Sequence, residues 1–177
     1  KKEVFANTKG WVLEAGTARS GNDNTSADEE VLVAIGGLSA SLGAADITEI
    51  EFITTSFDKS EGGTIQARVR FNEPVVVNTS GGTPHLAVTN GNQGSGSGRG
   101  PHNLTYASGT GTNELVFSLT IGAANAATNA GDILVIGANA IALNSGTIKD
   151  VATSTTNATI TNSSAIGTAA GSITVAA

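Results

Sequence analysis

The chain contains no cysteine and no methionine, only three prolines, and a single tryptophan and a single tyrosine. Without cysteine there is no disulfide framework, no thiolate metal site and no cysteine nucleophile. The compartment stays open, because many bacterial surface and virion proteins also lack cysteine. Basic side chains are scarce as well. Nine Lys and Arg stand against fifteen Asp and Glu, a net charge of −6, which argues against a nucleic-acid partner held through phosphates. No apolar run approaches the roughly 20 residues of a membrane-spanning helix. Lys1 and Lys2 lack the apolar stretch that follows in a signal peptide. With no initiator methionine, a leader or a longer segment upstream of Lys1 stays open.

Small and branched side chains dominate instead, with 26 Ala, 23 Thr, 23 Gly, 16 Ser and 15 Asn among the 177 residues. Val and Ile together outnumber Leu 26 to 10. Branched side chains fit a pleated surface and lose rotamers in a helix, so the balance favours strands. Helical bundles and coiled coils are excluded.

Residues 1–45 read differently from the rest. Lys1, Lys2 and Lys9 against Glu3 make the first ten residues locally basic in an acidic chain, and the apolar cluster Trp11-Val12-Leu13 follows. Thr17 to Asp28 has no hydrophobic period. Ser26-Ala27-Asp28-Glu29 matches a helix-starting capping box, which would open a short helix through Glu30 to Ile35. Val31 to Ile35 equally suits a strand, since five apolar residues do not separate the two periods. This stretch is expected to be an extended arm with one short element.

From Asp46 the pattern alternates. Ile47, Ile50, Phe52 and Phe57 mark a first strand region. Ile65, Ala67, Val69 and Phe71 then interleave with Gln66, Arg68, Arg70 and Asn72, a half-buried strand with one polar face. Val75-Val76-Val77 follows Pro74 and suits a strand start. Further strands are expected at Leu86–Val88, Leu104–Tyr106, Leu115–Ile121, Ile133–Ile136, Ala140–Leu143, Ala158–Thr161 and Ser172–Val175. Turn residues separate them, as at Glu61-Gly62-Gly63, Ser80-Gly81-Gly82 and Asn144-Ser145-Gly146. Short strands punctuated in this way read as an antiparallel sandwich. Asn90 to Gly100 carries no apolar residue and is expected to be a tolerant loop, in which cleavage or deletion does little harm.

Three groups of residues between Asp46 and Asn162 carry a family likeness. They are Phe71-Asn72-Glu73-Pro74-Val75 with Pro84 and Leu86; Tyr106-Ala107-Ser108-Gly109-Thr110-Gly111-Thr112 with Leu115 and Phe117; and Leu143-Asn144-Ser145-Gly146-Thr147-Ile148-Lys149-Asp150. Through them the chain resembles the bacterial immunoglobulin-like repeats of surface adhesins and phage structural proteins. The resemblance implies an Ig-like sandwich used for display or adhesion, without chemistry of its own. Adhesins usually string many copies together, whereas this chain has one copy behind an arm and looks more like a marine-phage capsid decoration protein. The expected fold is therefore all-β: an Ig-like antiparallel β-sandwich over residues 46–177 behind an N-terminal arm over 1–45, with at most one short helix.

The inventory for catalysis is thin. His85 and His102 each follow a proline beside the loop, 17 residues apart, without the i, i+4 spacing of a metalloprotease helix. Both are expected to be solvated, and their joint replacement by Ala is expected to leave folding unchanged. No nucleophile elbow or phosphate-binding loop occurs. Asp46, Glu49, Glu51, Asp58 and Glu61 crowd five carboxylates into sixteen residues. Without a calcium-loop pattern, they read as a solvated acidic face. Five Asn-x-Ser/Thr triplets, at Asn24, Asn78, Asn103, Asn157 and Asn162, are expected by chance at this composition. Tyr106 reads as a strand end with its ring turned inward and its hydroxyl at the rim.

No enzyme, cofactor, catalytic residue or metal site is expected, and no membrane partner. The expectation is a structural virion protein, a decoration or cement protein on a phage head at the virion surface. Its contacts would be with the major capsid protein or neighbouring virion subunits, with host-surface glycans as a further partner and association between copies open. The contact residues would be Lys1, Lys2, Val4, Phe5, Trp11, Val12 and Leu13 of the arm, whose apolar side chains are unfavourable in water. The alternative is an Ig-like module of a bacterial cell-surface adhesin. A carbohydrate-binding module ranks below both, because Trp11 and Tyr106 are too few for an aromatic platform.

Overall fold

The computed structural model describes residues 3–36, 43–91, 102–125, 128–152 and 155–177. The loop centred on residues 92–100, and with it the expected tolerance to cleavage there, lies outside them. The chain divides into two compact units, Lys1–Gly43 and Ala44–Ala177.

The first unit is a three-stranded antiparallel sheet in the order β1-β2-β3, built from β1 (Val4–Asn7), β2 (Gly10–Leu13) and β3 (Glu30–Ala34). An arm with a single short element was expected, so three paired strands are a correction. The capping-box helix does not form. Glu29, its would-be capping partner, instead pairs with Lys9 at 3.5 Å. The branched residues that follow extend along β2, with Val12 opposite Val31 and Trp11 opposite Val33. Between these two pairs the register shifts, leaving Leu32 as an extra residue in β3.

The second unit holds β4 (Ile47–Phe52), β5 (Phe57–Asp58), β6 (Gly63–Asn78), β7 (His85–Gly91), β8 (His102–Ser108), β9 (Thr112–Ile121), β10 (Ile133–Ala142), β11 (Thr147–Asp150), the helix α1 (Ser164–Ala169) and β12 (Ser172–Ala176). The strands follow the path β11-β6-β9-β8-β7-β10-β12-β5, and β4 also pairs with β6. The alternation expected along Ile65, Ala67, Val69 and Phe71 is present, with all four buried and Gln66, Arg68 and Arg70 half-buried between them. Every strand from β4 to β12 contributes to one buried cluster. Pairing is antiparallel except at β12–β5, where Val175 and Ala176 run parallel to Phe57 and Asp58, so the sheet is mixed rather than wholly antiparallel.

Several boundaries differ from expectation for physical reasons. Val75 does not start a strand. It continues β6 past Pro74, where the ladder with β9 shifts register and the missing N–H costs no bond. The strands expected at Ile133–Ile136 and Ala140–Leu143 are one strand, β10, interrupted by an irregularity between Ile136 and Ile141 at which Asn139 takes φ +51°. Ala158–Thr161 forms no strand: Thr159 makes one isolated parallel bridge with Asp46, and Asn157 just before it makes another with Lys149. In the turn after β10 the positive φ falls on Asn144 (φ +48°) and Ser145 (φ +64°) rather than on Gly146. Gly146 serves a different need there. A Cβ on it would lie 2.4 Å from the Gly82 carbonyl oxygen, so the two turns approach backbone to backbone.

Asn162 closes the irregular part of β10. Its Oδ1 accepts the Ala140 N–H at 2.9 Å, its Nδ2 donates to the Gly137 and Ser163 carbonyls at 2.9 and 3.1 Å, and its carbonyl accepts the Asn139 N–H. It is 3% exposed, out of reach of a glycosylating enzyme. Next in the chain, Ser163 caps α1 by accepting the Ile166 N–H at 3.3 Å. The helix lies so close to β10 that a Cβ on Gly167 would meet the Ile136 and Gly137 carbonyl oxygens at 2.5 Å. Replacing Asn162 by Ala strands several buried backbone groups and should cost about 2–4 kcal/mol. Urea unfolding of Asn162→Ala against wild type checks this, and Asn162→Asp, which keeps the acceptor toward Ala140 but turns a carboxylate oxygen on the Gly137 and Ser163 carbonyls, should be destabilised as well.

Candidate functional site

The feature that stands apart in this structure is apolar surface on the N-terminal unit. Nine large hydrophobic residues are exposed among the described residues, and six belong to this unit: Val4, Trp11, Val31, Leu32, Val33 and Ile35. The strand register explains the grouping. Ala6 stands opposite Trp11, and Trp11 opposite Val33, so one exposed apolar row crosses all three strands. Local bonds hold the row in place. The Asn7 Oδ1 accepts the Lys9 N–H at 2.8 Å and shapes the β1–β2 turn. In the long β2–β3 link, Asn22 and Asn24 each accept the N–H two residues on. Arg19 pairs with Glu3 at 2.7 Å.

Of the expected contact residues, Lys1 and Lys2 lie outside the described residues. Val4 and Trp11 are exposed, at 39% and 49%, and Phe5 is half-buried. Val12 and Leu13 are buried, at 0% and 5%, so these two belong to the unit's own small interior rather than to a contact surface. The residues that the sequence reading missed are Val31, Leu32, Val33 and Ile35. Their signal was present as an apolar run without polar alternation, which leaves a strand no hydrophilic face.

The acidic stretch on the second unit is more ordered than a solvated face. Register sets Glu49 opposite Arg70, Glu51 opposite Arg68, and Arg70 opposite Glu114 on the far side. Arg70 bonds Glu49 and, through Nε, Glu114 at 2.8 Å; Arg68 bonds Glu51 and reaches Glu114 at 3.4 Å. The Arg70 guanidinium holds the Glu114 carboxyl below its ordinary value. Asp58 turns inward on its own loop, where the Ser60 hydroxyl and N–H both bond its Oδ1 at 2.7 Å and lower its pKa. Among the described residues no three His, Cys, Asp or Glu side chains converge as metal ligands.

The two histidines separate. His85 is half-buried at the start of β7, whereas His102 is 7% exposed and its Nε2 lies 2.9 Å from the hydroxyl of the fully buried Thr128. The expectation that both are solvated is therefore corrected for His102. Burial lowers its pKa from the ordinary 6.5. Tyr106 meets Phe117 edge to face at 6.1 Å, and its hydroxyl accepts the Thr110 N–H at 2.9 Å. Between α1 and β4 lies a cleft of about 520 Å³ lined by Thr48, Glu49, Ile50, Ala165, Ile166 and Ala169.

Comparison with protein families, with curated proteins and with solved structures finds no match.

Two pH-dependent effects follow. The fold holds His102 neutral, so stability is full above pH 6.5 and is lost as pH falls toward the lowered folded value. The ion pair of Glu114 contributes above its ordinary value of 4.5 and is lost as pH falls through the lowered folded one. Melting temperatures between pH 8 and 3 should fall in these two windows. His102→Gln should flatten the upper fall and Glu114→Gln the lower. His102→Ala, which leaves the Thr128 hydroxyl without its ring partner, should cost about 1–3 kcal/mol at pH 7.5.

Proposed function

We propose that this chain is a non-enzymatic structural protein of a virion surface, a decoration or cement protein of a phage head. In this reading the second unit is an Ig-like β-sandwich on display, and the first unit is the anchor to the major capsid protein or a neighbouring virion subunit. The observation that carries the reading is the exposed apolar row on the first unit, which ends on the terminal strand β3. The resemblance of residues 46–162 to immunoglobulin-like repeats of phage structural proteins and adhesins supports the display role.

The magnitudes set a condition on such an anchor. Fully burying a large apolar side chain yields about 1.5–3 kcal/mol, so six that are already half-covered offer roughly 1 kcal/mol each. Association costs about 4–15 kcal/mol in lost freedom. One unit therefore sits near balance, and lasting attachment needs additional contacts or several copies acting together.

The test is incorporation. Trp11→Ser with Val33→Ser removes the centre of the row at residues that are half-exposed, so the second unit should keep its cooperative melt. Expressed in place of the wild-type chain, this variant should fall at least tenfold in occupancy on purified particles, as counted by electron microscopy. Undiminished occupancy rejects the anchor, and labelling of cell envelopes instead of particles would favour the adhesin alternative.

A further inference from the structure

We propose that β3 is a pairing edge for a second copy of this chain, joining two N-terminal units in antiparallel fashion into one six-stranded sheet. Among the described residues β3 is a terminal strand of its sheet, hydrogen-bonded on one side to β2. From Val31 to the end of β3 at Ala34, and on through Ile35 and Gly36, the chain carries no charge and no proline, and all six residues are exposed. Open strand edges template further pairing, and folded proteins protect them with charge, proline, bulges or very short length. Most other edge positions among the described residues are protected in those ways. β4 bears Glu49 and Glu51, β11 bears Lys149 and Asp150, and β5 has two residues, one of them Asp58. β1, the far edge of the same sheet, is uncharged too but has four residues and one exposed large hydrophobic, Val4, against three in β3. β3 has Glu30 at its first position and the extra residue at Leu32, which twists the strand but leaves it uncharged from Val31 to Ala34.

The unit's own interior is too small to make this edge harmless. Among its described residues only Val12, Leu13 and Ala15 are buried hydrophobics, far below what stabilises a small domain.

Charge selects the occupant and its direction. The acidic residues lie at one end, Glu30 as the first residue of the strand and Glu29 just before it, and Glu29 is already paired with Lys9. A parallel, in-register partner would stack these glutamates against their copies. An antiparallel copy centred near Leu32 and Val33 places Glu30 opposite uncharged residues around Ala34. The two Glu30 side chains then lie roughly 13 Å apart along the strands, beyond the Debye length of physiological salt. The strand is thus complementary to itself in one orientation. Pairing also doubles the exposed row into a single patch, which meets the need for more than one anchor identified above. To that extent the inference rests on the proposed function, while self-association itself rests on β3.

Strand pairing of this length buries less than the roughly 1,200 Å² of a standard interface, so the dimer should be sought at chain concentrations on the order of 100 µM. Sedimentation equilibrium of the full chain should then give twice the 17.5 kDa of one copy, and Val33→Lys should weaken association at least tenfold. Because the chain has no cysteine, single substitutions report the register directly. Under mild oxidation, disulfide-linked dimer should peak at Leu32→Cys or Val33→Cys and fall away at Glu30→Cys and Ile35→Cys. A single-copy mass at that concentration, dimerisation untouched by Val33→Lys, or equal cross-linking at all four positions would overturn the proposal. A monomer would leave the incorporation test untouched, and a dimer that never joins particles would reject the anchor while leaving the dimer in place.

Discussion

The larger unit depends on one strand having two different neighbours along one edge. β6 spans sixteen residues and pairs with β9 along one side. Along the other side β4 takes residues 67–71 and β11 takes 75–78. The change of partner occurs around Pro74, where a proline is tolerated because no ladder bond is required of it. Inward, the strand supplies Ile65, Ala67, Val69, Phe71 and Val75 to the core. Outward, Arg68 and Arg70 stand between carboxylates of β4 and β9. A one-residue slip would exchange these faces, burying two guanidinium groups and exposing the core column, so both faces specify the same register.

The second constraint is the break in β10. Backbone groups at Gly137, Asn139 and Ala140 leave the regular ladder there, and buried groups of this kind must find partners. Asn162 supplies three of them from one residue. The short helix that follows rests on the same backbone, with a glycine where any side chain would collide. The loop, the helix and the strand therefore form one arrangement, and a polar side chain at the core's margin holds it together by satisfying the backbone rather than by adding apolar area.

The N-terminal unit works under the opposite condition. Its ion pairs Lys9–Glu29 and Arg19–Glu3 lie at exposed or half-exposed positions, where such pairs contribute little. Its apolar residues are mostly outside its interior. A sheet so built has little interior of its own to stabilise it, which is the physical content of the proposal that it is an attachment device.

By itself the sequence determined the class of the fold: the excess of branched residues, the period of two along Ile65–Phe71 and the glycine-rich punctuation left no route to a helical protein. It also marked the N-terminal segment as unusually apolar for an acidic, polar chain. Tertiary structure alone decided which of those apolar residues are available, burying Val12 and Leu13 and leaving Val31 to Ile35 exposed, because exposure depends on which strands pair. It likewise turned the carboxylates of β4 into partners for arginines some twenty residues away and placed His102 beside Thr128. Local pattern reports the face that a residue prefers. The neighbour that it meets across a sheet is set by register between distant segments, and no window of sequence contains that.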